Sequence, residues 1–299
     1  MRFFRRFFSK ICSCNESRLR NISVDAVMPM FMVPILLLTA SENVICTVLV
    51  FSTSPFFIYY LHVKFLRFFT RTKFFFMWTI SSVLALMLVF EFSVVPLLEI
   101  LPEENLIFII CVVGGLICGH ETRRKSDCMS QVSTSQTLEL GEINQDVCST
   151  CKRHVTPQAI HCKICQTCVL GKKYHCHWLD SCIGSNNLVW YLLCLLFSTA
   201  AFTYGSNLTM TTVCRPYIFI GSILLPDDCS DVYDQFDLAI CFVSSVYSLL
   251  IGLILFFYLI YHILLLCFGK TKYSYVPNSD RQHSNEMGKN ALQLFCCKS

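Results

Sequence analysis

Residues 148–182 read CSTCKRHVTPQAIHCKICQTCVLGKKYHCHWLDSC, and this stretch decides how the rest of the chain is interpreted. Seven of its 35 residues are cysteines and four are histidines. Cysteine pairs with two residues between them are typical of the tight turns that hold structural zinc. Where thiols stay reduced, such clusters indicate metal binding rather than disulfide bonds.

The spacing offers two sets of three cysteines and one histidine, and the sets interleave along the chain as two stacked zinc knuckles would. The first set is Cys148, Cys151, His161 and Cys168; the second is Cys162, Cys165, His175 and Cys182. We therefore predict two structural Zn²⁺ ions, whose binding contributes much of the folding free energy of so short a domain. The alternative is an iron–sulfur site or unrelated buried thiols.

Cys176 is not needed in either set. It lies between His175 and His177, beside two metal sites and near a predicted membrane face. The thiolate is the reactive form of cysteine, and nearby imidazole or metal charge favours it. We predict that Cys176 is a nucleophile; the alternative is an inert structural thiol.

The remaining sequence is strongly apolar. Of 299 residues, 54% are hydrophobic and 15% are charged, against about 25% charged residues in soluble domains. This composition predicts an integral membrane protein. The net charge of +4 is modest, and the basic residues cluster beside apolar runs, which indicates membrane orientation rather than nucleic-acid binding. The predicted partners therefore include the lipid bilayer and exclude nucleic acid.

We predict an α-helical polytopic membrane protein with about six spans, or alternatively four. The apolar runs are 27–63, which has a polar turn at 41–43 and is long enough for two spans, and 74–98, 106–119, 188–212 and 238–268. Basic clusters mark the cytosolic side. Four spans, or in the alternative two, precede the Cys-rich stretch; both numbers are even, so both place this stretch in the cytosol with the basic N-terminal segment. In the run 74–98 the single acid, Glu91, is expected to be paired or to face a cavity.

The predicted division of the chain follows from these runs. It consists of a cytosolic basic segment at 1–26, N-terminal spans at 27–119, a cytosolic linker at 120–146, the Cys-rich domain at 147–187, two spans at 188–268 with a lumenal loop at 214–237, and a cytosolic tail at 269–299. The loop is acidic and contains Cys214 and Cys229, which could form a disulfide in an oxidising compartment.

Three motifs carry a family resemblance: HCKICQTC at 161–168, YHCHW at 174–178, and SCIG at 181–184 followed by Asn187. They resemble the DHHC family of protein S-acyltransferases, or palmitoyltransferases. The resemblance implies a cytosolic domain of small zinc-bound β-knuckles in which all eight residues named above bind zinc. It also implies that Cys176 takes a long-chain acyl group, such as palmitoyl, from acyl-CoA and passes it to a cysteine of a substrate protein.

The same resemblance implies protein substrates with membrane-proximal cysteines, a possible accessory subunit and residence in the Golgi or endoplasmic reticulum. Weaker similarities to family motifs in the tail involve Thr271, Ser274, Asn290 and Phe295.

The signature tetrad of the family reads Lys173-Tyr174-His175-Cys176 in this chain. The family's general base, a histidine, is replaced by Tyr174, and its orienting aspartate by Lys173. A phenol with a pKa of about 10 is a poor base at neutral pH. One hypothesis is that His177 is a displaced base oriented by Asp180. We predict an S-acyltransferase; the alternatives are a catalytically impaired adaptor or regulatory pseudoenzyme that keeps the zinc fold, and an unrelated zinc-knuckle scaffold.

Overall fold

The computed structural model describes residues 24–65, 72–97, 100–128, 146–152, 154–155, 159–220 and 223–267. The basic segment before residue 24, most of the predicted linker and the whole predicted tail lie outside these ranges. The tail positions with a family resemblance, Thr271, Ser274, Asn290 and Phe295, are therefore outside the described residues.

The described chain is mostly helical. Its α-helices are α1 (Val24–Ala40), α2 (Val44–Tyr60), α3 (Phe74–Val89), the short α4 (Val95–Leu97), α5 (Pro102–Cys128), α6 (Leu188–Val213) and α7 (Phe236–Cys267). Two π-helical turns, Leu61–Phe65 and Phe90–Val94, extend α2 and α3. The second of these turns contains Glu91, whose Oε1 atom is buried without a hydrogen-bond partner among the described residues.

Five of the described helical segments are long and apolar enough to cross a membrane: Val44–Val63, Phe74–Val94, Pro102–Ser126, Leu188–Val213 and Phe236–Cys267. The sixth predicted span corresponds to α1, which has 17 residues and contains Pro29 and Pro34. A helix of this length rises about 25 Å, slightly less than the hydrocarbon core of about 30 Å. The prediction of a polytopic helical membrane protein is confirmed, with α1 shorter than the other five.

Helix α5 is longer than the sequence predicted at both ends. It begins at Pro102, where the missing N–H costs nothing, and Glu103 and Glu104 in its first turn suit the helix dipole. At the other end the Thr122 hydroxyl donates to the Cys118 carbonyl at 2.8 Å. The helix therefore includes residues 120–128, which the sequence assigned to the linker, and residues 102–105, which precede the predicted apolar run 106–119.

Helix α6 packs between α5 and α7, with glycines at both contacts. A Cβ atom on Gly205 would lie 2.6 Å from the ring of Phe108 on α5, and a Cβ atom on Gly252 of α7 would lie 2.9 Å from Thr203 of α6. Small residues let helix backbones approach closely where no hydrophobic driving force acts between them. The tight packing makes α6 the central helix, and the Cys-rich domain immediately precedes it.

The Cys-rich domain contains three two-stranded antiparallel hairpins, in agreement with the predicted small β-knuckles. They are β1 (Asp146–Val147) with β2 (His154–Val155), β3 (Ala159–Cys162) with β4 (Thr167–Leu170), and β5 (Tyr174–Cys176) with β6 (Ser181–Ile183). In each of the first two hairpins, the residue that follows the second cysteine of the Cys-x-x-Cys turn has a positive φ of 57°. These residues are Lys152 and Gln166. Each of these two residues donates its N–H to the carbonyl of the first cysteine, at 2.9 Å and 2.8 Å.

The segment between α6 and α7 forms a fourth hairpin, β7 (Arg215–Ile220) with β8 (Ile223–Asp228), followed by a 3₁₀ turn at Ser230–Tyr233. A disulfide joins Cys214 to Cys229, which confirms the expected pairing. The Tyr233 hydroxyl lies 2.7 Å from the hydroxyl of Thr47, near the turn between α1 and α2. The turn between α1 and α2 is therefore in contact with the predicted lumenal loop 214–237. This contact lies at the end of α6 opposite the Cys-rich domain.

Candidate active site and metal centres

Two groups of side chains in the Cys-rich domain could each hold a metal ion, because the possible ligand atoms within each group lie within 4.8 Å of one another. The groups are Cys148, Cys151, His161 and Cys168, and Cys162, Cys165, His175 and Cys182. These are the two sets expected from spacing. The sulfur atoms of Cys151 and Cys168 are 3.5 Å apart, and those of Cys165 and Cys182 are 3.4 Å apart. Tetrahedral zinc with Zn–S bonds of about 2.3 Å separates sulfurs by about 3.8 Å, so the donor set fits zinc.

Each histidine of the two groups is positioned by the register of a hairpin. His161 pairs with Cys168 across β3 and β4, and His175 pairs with Cys182 across β5 and β6. In both pairs the Nδ1 atom faces the cysteine sulfur, at 3.6 Å and 3.7 Å. Each group therefore takes two ligands from one Cys-x-x-Cys turn and two from the next hairpin, so that a bound metal would join neighbouring hairpins.

The carboxylate of Asp180 lies close to the second metal group. Its Oδ1 atom lies 4.0 Å from Nε2 of His175, and its Oδ2 atom lies 3.9 Å from Arg123 of α5. A metal-bound histidine commonly donates its second N–H to a carboxylate, which fixes the ring orientation. Among the described residues the carboxylate contacts these two side chains rather than His177. The geometry therefore favours a role of Asp180 toward His175 over the hypothesis that it orients His177.

The imidazole of His177 lies in an aromatic environment at the edge of the domain. Its ring centroid is 5.0 Å from that of His175 and 6.0 Å from that of His62, which follows α2. Burial, together with these two neighbouring imidazoles, lowers the pKa of His177 to about 4. The neutral ring is thus the prevalent form at neutral pH.

Cys176 ends strand β5 and pairs with Ser181 of β6, outside both metal groups. It is 8% exposed and belongs to a buried cluster that extends into the spans: Ile183, Leu188, Tyr191, Leu195 and Leu259. Burial raises the pKa of the Cys176 thiol, while hydrogen bonding to the backbone at Leu179 and Trp178 and to the Tyr191 side chain acts in the opposite direction. The sulfur therefore lies at the junction of the Cys-rich domain with α6 and α7.

Tyr174, two residues before Cys176, contacts a histidine that the sequence did not single out. The Tyr174 hydroxyl lies 2.9 Å from Nε2 of His262 on α7. Burial raises the pKa of Tyr174 and lowers the pKa of the neighbouring Lys173. One signal for His262 was present in the sequence, since an ionisable residue in an apolar span is a candidate for function, but nothing in the sequence pairs it with a residue 88 positions away.

Asn187 joins the second metal group to two membrane helices. Its side chain is fully buried at 0% exposure. Its Oδ1 atom accepts a bond from the Gly184 N–H at 2.8 Å, and its Nδ2 atom donates to the carbonyls of Thr122 and Cys182 at 2.9 Å and 2.8 Å. The sequence resemblance included Asn187 but gave it no role; here it holds the domain against α5 at the start of α6.

Residues 141–279 match the DHHC palmitoyltransferase family, and this part of the chain is a domain of that family. It is similar to palmitoyltransferase ZDHHC23-A of Danio rerio, with 26% identity over 279 residues that cover 83% of this chain and 68% of that protein. Palmitoyltransferase ZDHHC23-B of Danio rerio is 36% identical over 110 residues, which cover 37% of this chain and 25% of that protein. Human palmitoyltransferase ZDHHC23 is 33% identical over 107 residues, 36% of this chain and 25% of that protein. Family membership supports a protein S-palmitoyltransferase function.

Proposed function

We propose that this protein is an S-acyltransferase that moves a long-chain acyl group, such as palmitoyl, from acyl-CoA to cysteines of substrate proteins through an acyl-Cys176 intermediate. The observation that carries the proposal is the placement of Cys176. Among the cysteines described between residues 146 and 182, it alone lies outside the two metal groups. It also lies where the domain meets two spans, in a cluster of apolar side chains.

In the first step the Cys176 sulfur attacks the thioester carbon of acyl-CoA, a new C–S bond forms, and the bond to the CoA sulfur breaks. The proton of the Cys176 thiol ends on the released CoA thiol. In the second step the thiol of a substrate cysteine attacks the acyl carbon on Cys176. A C–S bond to the substrate forms, the bond to Cys176 breaks, and the proton of the substrate thiol ends on Cys176. The apolar side chains of Leu195 and Leu259 beside the sulfur favour the acyl chain, since burial of each CH₂ contributes about 0.8 kcal/mol.

The two metal groups support this chemistry indirectly. Zinc bound there would cross-link the hairpins and fix strand β5, and it would supply structural rigidity rather than a reacting group. Asp180 and Asn187 of this chain contribute to the same result, the first by orienting His175 and the second by bonding the Cys182 carbonyl.

We further propose that the protein resides in the membrane of the Golgi or endoplasmic reticulum and that its Cys-rich domain faces the cytosol. Free thiols in the metal groups suit a reducing compartment, whereas the Cys214–Cys229 disulfide at the other end of α6 suits an oxidising one. The substrates would be proteins with membrane-proximal cysteines, with or without an accessory subunit of the transferase.

A second candidate function is a membrane adaptor or regulatory pseudoenzyme that keeps the zinc fold. The observation in its favour is the pair Lys173 and Tyr174, where the family tetrad has an aspartate and a histidine. Burial raises the pKa of the Tyr174 phenol, so it stays protonated at neutral pH and does not take the thiol proton as a base would.

One experiment separates these candidates. The purified full-length protein is first checked for two zinc ions by elemental analysis and then incubated with labelled palmitoyl-CoA. We expect a hydroxylamine-sensitive label that Cys176→Ser abolishes. The matched control is Cys267→Ser, which removes an exposed free thiol at the end of α7 and should leave that label in place. Zinc-loaded protein that takes no label at Cys176 would favour the adaptor, and protein without zinc would contradict both candidates.

A further inference from the structure

We infer that His262, on the membrane helix α7, is a positioning residue for Cys176 that acts through the hydroxyl group of Tyr174. The inference rests on the proposed acyl transfer at Cys176. His262 is 6% exposed and lies five residues before the end of α7. It therefore brings a polar ring from the spans to the base of strand β5.

The tautomer of His262 follows from its two hydrogen bonds. Its Nδ1 atom lies 2.8 Å from the backbone carbonyl of Tyr258. A carbonyl oxygen can only accept, so Nδ1 carries the hydrogen, and in the neutral ring Nε2 has a free lone pair. The Tyr174 hydroxyl, 2.9 Å from Nε2, is therefore the donor of that bond. The donor of this hydrogen bond is thus in the Cys-rich domain, and the acceptor is on α7.

Tyr191 of α6 packs against both residues of this pair. Its ring centroid lies 6.1 Å from that of Tyr174 and 5.6 Å from that of His262. It is 1% exposed and packs in the same buried cluster as Cys176. The Tyr174–His262 pair is therefore enclosed by the same packing that surrounds the nucleophile.

The Tyr174–His262 bond anchors the start of strand β5 to α7. Tyr174 lies two residues before Cys176 on that strand, so the two side chains share one face of β5. Hydrogen bonds are strong where water is excluded and side chains are close-packed, and Tyr174 packs against the buried cluster that contains Cys176. The bond therefore holds the strand, and with it the Cys176 sulfur, in place against the spans.

The experiment compares three variants of the full-length protein by the rate of acyl-enzyme formation from labelled palmitoyl-CoA. His262→Phe keeps a ring of similar size but removes the acceptor. It should slow loading by about 10- to 100-fold, the order expected for a misplaced reacting group, with the half-saturating palmitoyl-CoA concentration unchanged. His262→Gln offers an amide oxygen near the position of Nε2 and should stay within about threefold of the wild-type rate. Tyr174→Phe should slow loading as much as His262→Phe, and the double variant no further, because the two residues act through one bond.

The matched control is Tyr261→Phe, a neighbouring residue on α7 whose ring contacts His262 and which is 53% exposed. It should load at the wild-type rate. Zinc content and thermal midpoint are measured for every variant. If His262→Phe does not fold, the loading rates of Tyr174→Phe and His262→Gln test the inference. Wild-type loading in His262→Phe, or equal losses in the Gln and Phe variants, would overturn the inference and leave the proposed function standing. A wild-type protein that takes no label would instead contradict the proposed function, and this inference with it.

Discussion

The side-chain amide of Asn187 donates a hydrogen bond of 2.9 Å to the backbone carbonyl of Thr122. Both residues are fully buried, at 0% exposure. The same amide also donates to the carbonyl of Cys182 in the second metal group. One side chain therefore connects α5, α6 and the Cys-rich domain.

We predict that Asn187→Ala destabilises the protein by about 3 kcal/mol. The substitution removes three hydrogen bonds and leaves buried backbone groups without partners, each of which costs about 1–3 kcal/mol unless the structure relaxes. The measurement is the free energy of unfolding in mixed micelles. The matched control is Asn186→Ala at the neighbouring exposed position, which should change stability by no more than about 0.5 kcal/mol. Equal stabilities of the two variants would show that the Asn187 bonds carry no net energy.

A second prediction concerns the second metal group alone. Asp180→Asn should weaken retention of one of the two zinc ions by about 10- to 100-fold, the usual effect of removing the partner of a metal-bound histidine. Asparagine tolerates the left-handed backbone found at Asp180, where φ is 47°, so the turn is preserved. The measurement is zinc stoichiometry against increasing chelator.

Two variants control this experiment. Asp231→Asn changes a carboxylate that is 70% exposed and pairs with Arg215 outside the Cys-rich domain, so both zinc ions should be retained. His177→Ala should likewise retain both. If His177→Ala released zinc as readily as Asp180→Asn, the assignment of Asp180 to His175 would be contradicted.

The sequence predicted those parts of the site that depend on local spacing. The two metal groups follow from cysteine pairs whose turns close within five residues, as the bonds from Lys152 to Cys148 and from Gln166 to Cys162 demonstrate. The turn between α1 and α2 is equally local, since the Asn43 side chain caps α2 by accepting from the Cys46 N–H at 2.8 Å. Such features can be read from a few consecutive residues.

Features that depend on distant contacts escaped prediction. Residues 120–128 are polar and basic and resemble a linker, but the carbonyl of Thr122 bonds Asn187, and Arg123 lies over the ring of Phe76 at 4.1 Å. These contacts favour continuation of α5. The bond between Tyr174 and His262 joins residues 88 positions apart, and no spacing rule relates them. The Asp180 contact with His175 depends on the turn geometry between β5 and β6.

A third prediction concerns the turn between β4 and β5. Gly171 has a positive φ of 56°, and a Cβ atom there would lie 2.7 Å from the Ser185 hydroxyl. Gly171→Ala should therefore destabilise the protein by about 1–2 kcal/mol, since a side chain in the left-handed region costs roughly that amount. The measurement is the unfolding free energy of the zinc-loaded protein. The double variant Gly171→Ala/Ser185→Ala removes the closest contact, but it leaves the Cβ atom of residue 185 at 3.1 Å and the backbone cost, so it should recover only part of the loss. Full recovery would show that the clash alone disfavours alanine.

The last prediction tests the disulfide and the membrane orientation together. The Cys214–Cys229 bond closes a loop with a sequence separation of 15, and a loop of that length is stabilised by about 3 kcal/mol through restriction of the unfolded chain. Cys214→Ser and Cys229→Ser should each lose about this amount without reductant, and the double variant should lose no more. In sealed vesicles with the cytosolic face outward, a membrane-impermeant maleimide should react with the exposed Cys267, as identified by peptide mass spectrometry. In Cys214→Ser the freed Cys229 should react only after the vesicles are permeabilised, because α7 separates the two thiols across the bilayer. Labelling of both thiols before permeabilisation would contradict this orientation, and with it the proposal that the Cys-rich domain faces the cytosol.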